Sequence, residues 1–249
     1  MSDLAYRRLS RTVDLTGKTG GLLDFQISFD TEPGYDFAFV EAHHPGQDDW
    51  TTLPLLGDDA KEVTSDDTGS SCSGDDFTWQ DDHPFLAHYQ TVVDPSKSFE
   101  DGGCTSTGTT GSWHALTGNG GGWQHLSADL SAYDGGPVEV AIAYVQDPAS
   151  AGLGVFLDDV RTRAGEETLS ETSFETDLGG WDVPGPPEGT ENNASDFKRE
   201  QSAFDESPII RTPRSMWFTF GLEGVDTEAH RKALLGKALS LLGVKRASG

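Results

Sequence analysis

No run of apolar residues approaches the ~20 needed for a helix to cross a bilayer, so membrane insertion is not expected. Positive charge is scarce too: 17 Lys and Arg stand against 42 Asp and Glu, a net charge of −25. Nucleic acid and anionic lipid repel a chain of that sign, which excludes both as partners. Such a surface either stays soluble in high salt or gathers divalent cations. The opening stretch "MSDLAYRRLSRTVDLTG" has charges but no apolar core for a signal peptide. Met1 is therefore expected to begin a fragment, or a mature region cut from a longer precursor. Cysteine is limited to Cys72 and Cys104, each in a Gly/Ser-rich loop where a free thiol would be exposed and reactive. A disulfide between them is the expected arrangement, and it points to an oxidising, secreted setting. Closing a loop of that size contributes about 3–4 kcal/mol.

Turn residues and aromatics are abundant instead. With 30 Gly, 12 Pro, 13 Phe and 6 Trp in 249 residues, the chain is globular and richer in turns than a helical protein. Its length suffices for one large or two small domains with a real core. Strand patterns run through "RTVDLTG" (11–17), "GLLDFQISFD" (21–30), "YDFAFVEA" (35–42) and "WTTLPLL" (50–56). They resume at "GWQHLSADLSAY" (122–133), "GPVEVAIAYVQD" (136–147) and "GVFLDDVRTR" (154–163). Between the two groups lies a long irregular stretch, 57–122, which holds both cysteines. Loops that long are functional or stapled, and the disulfide supplies a staple.

The expected fold is an all-β, jelly-roll-like sandwich over 1–165, with a second β segment over 166–249. "SDFKREQS" (195–202) and "SMWFTFGLEGV" (215–225) read as strands of that segment. It is either a small sandwich of its own or a set of strands folding back onto the first. One helix is expected, over 226–243. Asp226 caps its start, and Leu234, Leu235, Ala238, Leu241 and Leu242 form one apolar stripe. Gly243 is placed to end it.

The order of several motifs resembles a known family. "RTVDLTG … LLDFQISFDTEPGYDFAFVEA … DDWTTL … LDDV" is similar to the β-sandwich domain of immune inhibitor A-type secreted metallopeptidases. "HPFLAHYQT", "TGTTGSWHALTGNGGGWQHLSADLSAY", "SFETDLGGW" and "FGLEGV" resemble the region that follows the catalytic domain in actinobacterial zinc carboxypeptidase-like proteins. The resemblance covers nearly the whole chain, yet it includes no catalytic domain. It thus implies an accessory region, with a metallopeptidase catalytic domain or a protein or glycan ligand as its partner. Members of the family that this chain resembles bind structural calcium.

The chain's own residues offer little for catalysis. His43, His44, His83, His88, His114, His125 and His230 all lack HExxH or HxxE spacing, so a zinc peptidase's ligand set is missing. The GxSxG of a serine hydrolase is absent. "GNGGG" (118–122) precedes neither a Lys nor a helix, which argues against a phosphate cradle. Carboxylate pairs of the glycosidase kind remain open, because sequence shows no distances. The chain is expected not to be an enzyme.

The acids carry the main expectation. Glu32, Asp36, Glu41, Asp158 and Asp159 sit within or beside apolar strands, where an unpartnered carboxylate would be costly. Of the adjacent pair Asp158 and Asp159, only one is expected to point inward. Ca²⁺ takes six to eight oxygens and would resolve that cost. Jelly-roll sandwiches bring first and last strands together, so Glu32, Asp36 and the Asp158–Asp159 pair are expected to form the calcium site. Glu175 joins them, since the "FE…GW" run in jelly-roll binding domains places its Glu near calcium. The alternative is that these acids cap turns through backbone N–H groups. A carbohydrate or cell-surface glycan binding module is the second functional expectation, and Trp50, Trp79, Trp113, Trp123 and Trp181 are its candidate platforms.

Overall fold

Alternating apolar residues build long antiparallel strands, and the computed structural model describes residues 4–69, 79–148, 150–199, 209–211, 216–218, Lys232 and Leu235. The chain divides into two units, Met1–Arg199 and Glu200–Gly249. In the first unit the long strands are β1 (Ala5–Asp14), β2 (Gly21–Asp30), β3 (Phe37–His43), β8 (Gln124–Asp129), β9 (Pro137–Gln146), β10 (Gly154–Ala164) and β11 (Glu167–Thr172). Short strands are β4 (Thr51–Leu53), β5 (Leu55–Leu56), β6 (Thr91–Val92) and β7 (Cys104–Thr105). A single helical turn, α1 (Trp79–Asp82), and 3₁₀ segments at Pro84–His88 and Ser131–Tyr133 complete it.

A four-stranded sheet in the order β1-β9-β3-β4 belongs with a five-stranded sheet in the order β11-β10-β2-β8-β5. Neighbours far apart in sequence make this the expected all-β, jelly-roll-like sandwich. Register fixes which residues face inward: Leu9, Ile142 and Val40 stand side by side across β1, β9 and β3. With Leu23, Phe25, Ile27 and Leu126 of the other sheet they form the main core. Each such side chain contributes about 1.5–3 kcal/mol when taken out of water.

The first sheet has no solvent face over β3, all of whose residues are buried. Ala38, Val40 and Ala42 belong to the main core, while Phe37 and Phe39 join a second cluster with Tyr6, Trp50, Trp79, Leu86, Tyr89 and Trp113. That second core is supplied by the stretch expected to be irregular. It can lie so close to β4 because Gly111 lacks a side chain, and it packs on its own Pro84–His88 turn because Gly108 lacks one too. A Cβ at Gly108 would stand 2.3 Å from the His88 carbonyl carbon, and one at Gly111 2.5 Å from Thr51 Cα.

The unit boundary falls after Arg199, whereas the sequence reading divided the chain after 165. β11 pairs with β10, Ser10 bridges to Asp182, and Trp181 enters the main core. Residues 166–199 therefore fold back onto the sandwich. No strand forms over 191–199, where "SDFKREQS" was expected to begin one, because Asn193, Ser195 and Arg199 bond to β1 or to the 174–175 backbone individually. In the second unit β12 (Ile209–Arg211) pairs with β13 (Met216–Phe218). The expected helix over 226–243 lies outside the described residues, except that Lys232 and Leu235 are helical.

Candidate functional site

The turn from β2 to β3 holds two of the expected ligands. Gly34 supplies its left-handed residue at φ +77°, and the Glu32 carbonyl accepts the amides of Tyr35 and Asp36 at 3.2 and 2.9 Å. Thr117 ties the turn from outside: its hydroxyl donates to the Glu32 carbonyl at 3.2 Å and accepts the Gly34 N–H at 2.8 Å. Asp36 is wholly buried. Its Oδ2 accepts Tyr144 Oη at 3.0 Å, Gln146 Nε2 at 3.3 Å and the Glu32 N–H at 3.4 Å. Its Oδ1 is buried with no hydrogen-bond partner, and so is Glu32 Oε2. Burial pushes the Asp36 carboxyl above its ordinary pKa, against the lowering by Tyr144, the Glu32 amide, Gln146 and the Asp147 amide. The end of the sandwich beside Gln146 is acidic in general. Asp82 is also raised, by burial first and then by the charges of Glu191, Asp81 and Asp147.

Asp158, Asp159 and Glu175 do not join that turn. On the β10–β2 ladder Gly154 opposes Asp30, but Asp158 opposes Gln26. Four residues of strand separate the two pairs, about 13 Å, and Glu32 and Asp36 lie beyond the Asp30 end. Nor does either aspartate point inward. A bulge between Asp158 and Arg161 sets Asp159 at φ +46° and leaves it exposed, with Val160 taking the buried position. Asp158 Oδ1 accepts the Asp159 N–H at 2.8 Å, a turn-capping role. Glu175 is exposed, and its carbonyl accepts Arg199 Nη1 at 3.2 Å.

Glu41 solves its burial differently. Its Oε2 accepts Tyr6 Oη at 2.7 Å and Tyr89 Oη at 2.8 Å, while Oε1, buried and without a hydrogen bond, faces Arg8 Nη1 at 3.9 Å. Burial raises its pKa, against Arg8 and the two tyrosines, and raises both tyrosines as well. With no exposed atom, Glu41 pins the second aromatic core and reaches no substrate. Asp24 is the acid that sequence reasoning missed. It receives Arg161 at 2.6 and 3.0 Å and Arg163 at 3.0 Å on the outer face of the five-stranded sheet. Burial raises its pKa, but the two arginines outweigh that and hold it below the usual value. The arginines sit in the "DDVRTR" run itself, in register with Asp24 and Leu22.

His43 is the last, buried residue of β3, and the turn begins only after His44. His43 stacks on Trp50 with centroids 3.7 Å apart, and His44 Nδ1 meets Asp49 at 2.6 Å. Among the described residues, no three His, Cys, Asp or Glu side chains converge as a metal group. Trp50, Trp79, Trp113 and Trp181 are buried, whereas Trp123 is 55% exposed. Cys104 is buried on β7, and no described cysteine is free. Cys72, its expected partner, lies outside the described residues. No described helix is long and apolar enough to cross a membrane.

No family model matches the chain, and no curated protein matches it.

Proposed function

We propose that the chain is a non-catalytic, calcium-stabilised accessory module of a secreted metallopeptidase-like protein, working beside a catalytic domain carried elsewhere. The observation behind the cation is the pair of buried, unpartnered oxygens, Glu32 Oε2 and Asp36 Oδ1, on one turn. A buried acceptor left without a donor costs about 1–3 kcal/mol, and more when charged. Two carboxylate oxygens, with backbone carbonyls and water, suit a hard cation that prefers oxygen and tolerates irregular geometry. When bound, calcium would neutralise the turn and fix the β2–β3 connection. Asp158, Asp159 and Glu175 are no part of this set. The accessory role is supported by the motif order, by the absence of zinc-ligand spacing in the sequence and by the enclosed position of Glu41. A secreted location is supported by the cysteine pattern.

Thermal unfolding with and without calcium tests the reading. Binding to the native state alone stabilises it by about 2.7 kcal/mol at a hundredfold excess over Kd. For a unit of this size that is a rise of roughly 5–10 °C in Tm. A chelator should remove the rise, magnesium should restore less of it, and Asp36→Asn should blunt it. Asp66→Asn, in another loop, should not. A melting curve indifferent to chelator would instead make Asp36 a turn cap, through its bond to the Glu32 amide.

A further inference from the structure

The outer face of the five-stranded sheet carries part-exposed side chains. The corresponding face of the four-stranded sheet is covered by the aromatic cluster around Trp113. Here the strands present part-exposed side chains in rows. Gln26 stands between His125 and Asp158, and Asp24 between Ser127 and Arg161. His125 Nδ1 is bonded to Asp58 at 2.8 Å, which leaves Nε2, 3.6 Å from Asp24, as its outward nitrogen. Ser28 opposes Phe156. Trp123 immediately precedes β8, two residues before His125, at the end of this face. It is 55% exposed. Its position follows the Gly120–Gly121–Gly122 run, whose first amide bonds the Phe29 carbonyl at 3.0 Å.

We propose that this face, with Trp123 as its stacking platform and Gln26, His125 and Asp158 as its hydrogen-bonding row, binds a neutral glycan of hexopyranose units. The chemistry selects that occupant. An exposed indole offers a flat π surface to the C–H face of a sugar ring, and it loses little conformational entropy on binding. Amide, imidazole and carboxylate groups carried on rigid strands suit the vicinal hydroxyls of such a ring. Apart from the exposed Trp123, the apolar side chains of this face, Leu22, Leu56 and Phe156, are only part-exposed, too little for the apolar centre of a protein interface. Acidic polysaccharides are disfavoured by the net charge of −25, and Arg161 and Arg163 are both bonded to Asp24. The site is separate from the Glu32–Asp36 turn and does not depend on its cation.

The test is native affinity electrophoresis of the full chain through gels carrying hydroxyethylcellulose, laminarin or galactomannan, with polygalacturonate as the anionic arm. Intrinsic tryptophan fluorescence is read in parallel. Retardation is expected in at least one neutral gel, with a blue shift or quenching of emission. Trp123→Ala should weaken the interaction about tenfold or more, as for a truncated aromatic anchor. Because the side chain is exposed, its Tm should match the parent's. Gln26→Ala should weaken binding by a smaller factor. Absence of retardation in all three neutral gels overturns the proposal, as does retardation that Trp123→Ala leaves intact or that occurs only in polygalacturonate. Repeating the gels in chelator separates the two readings. A lost calcium response in the melting curve with retained retardation would sink the cation alone.

Discussion

Acidification should weaken the first unit through His83, and the size of the effect follows from its surroundings. The ring is 1% exposed, set edge-on to Tyr6 and Trp79 with centroids 5.8 Å from each. Nε2 meets the Gln146 carbonyl at 3.1 Å, while Nδ1 is buried without a partner. Burial pulls the pKa from 6.5 to about 4, against the Gln146 bond. Between those values the unfolded chain holds a proton that the native state refuses, so stability falls as pH falls. Each pH unit in the window is worth about 1.4 kcal/mol, and going from pH 7.5 to 4.5 should cost about 2–3 kcal/mol. Asp36 and Glu41, both raised by burial, push the other way over part of that range. The comparison with His83→Gln isolates the histidine. Urea unfolding followed by tryptophan fluorescence at both pH values is the assay. The parent should lose about 2–3 kcal/mol more than the variant on acidification. Equal losses would show that the ring is protonated in the fold and would refute the reasoning.

Two further changes are predicted in stability. Glu41→Ala strips the acceptor from the buried Tyr6 and Tyr89 hydroxyls and leaves Arg8 without its charge partner. It should cost about 3–5 kcal/mol in urea unfolding, and a loss below 1 kcal/mol would mean the network is idle. Thiol titration of the unfolded, unreduced chain should find no free cysteine, and reduction should lower stability by about 3 kcal/mol. Two titratable thiols per chain would refute the Cys72–Cys104 bridge.

Much of the sandwich was legible because its strands obey simple alternation. "GLLDFQISFD" became β2 and "PVEVAIAYVQ" became β9, each close to its expected limits. β3 shows where alternation misleads. "FAFVEAH" reads as a strand with one buried face, yet both faces are covered, because Trp79, Leu86, Tyr89 and Trp113 come from a stretch without periodic pattern. Sequence registers the aromatics there but not the surface they will meet. The 3₁₀ turn at Ser131–Tyr133 was taken into the preceding strand for a similar reason: apolar spacing over a few residues does not distinguish the two.

The acids show the same limit at the level of the site. Grouping Glu32, Asp36, Asp158 and Asp159 assumed that the strand after "GVFL" would close against the β2–β3 turn. It pairs instead along β2, and its bulge turns the aspartates outward. The real burial problems fell to Asp24, Asp36 and Glu41. Arg161 and Arg163 meet the first, and two tyrosines with Arg8 meet the third. Asp36 Oδ2 receives Tyr144, Gln146 and the Glu32 amide, while Oδ1 and Glu32 Oε2 have no hydrogen-bond partner. Cationic partners serve both Asp24 and Glu41, and among the described residues none serves this turn. A dication at the turn would supply the charge that the arginines supply elsewhere, which is why Glu32 and Asp36 are the place to look for it.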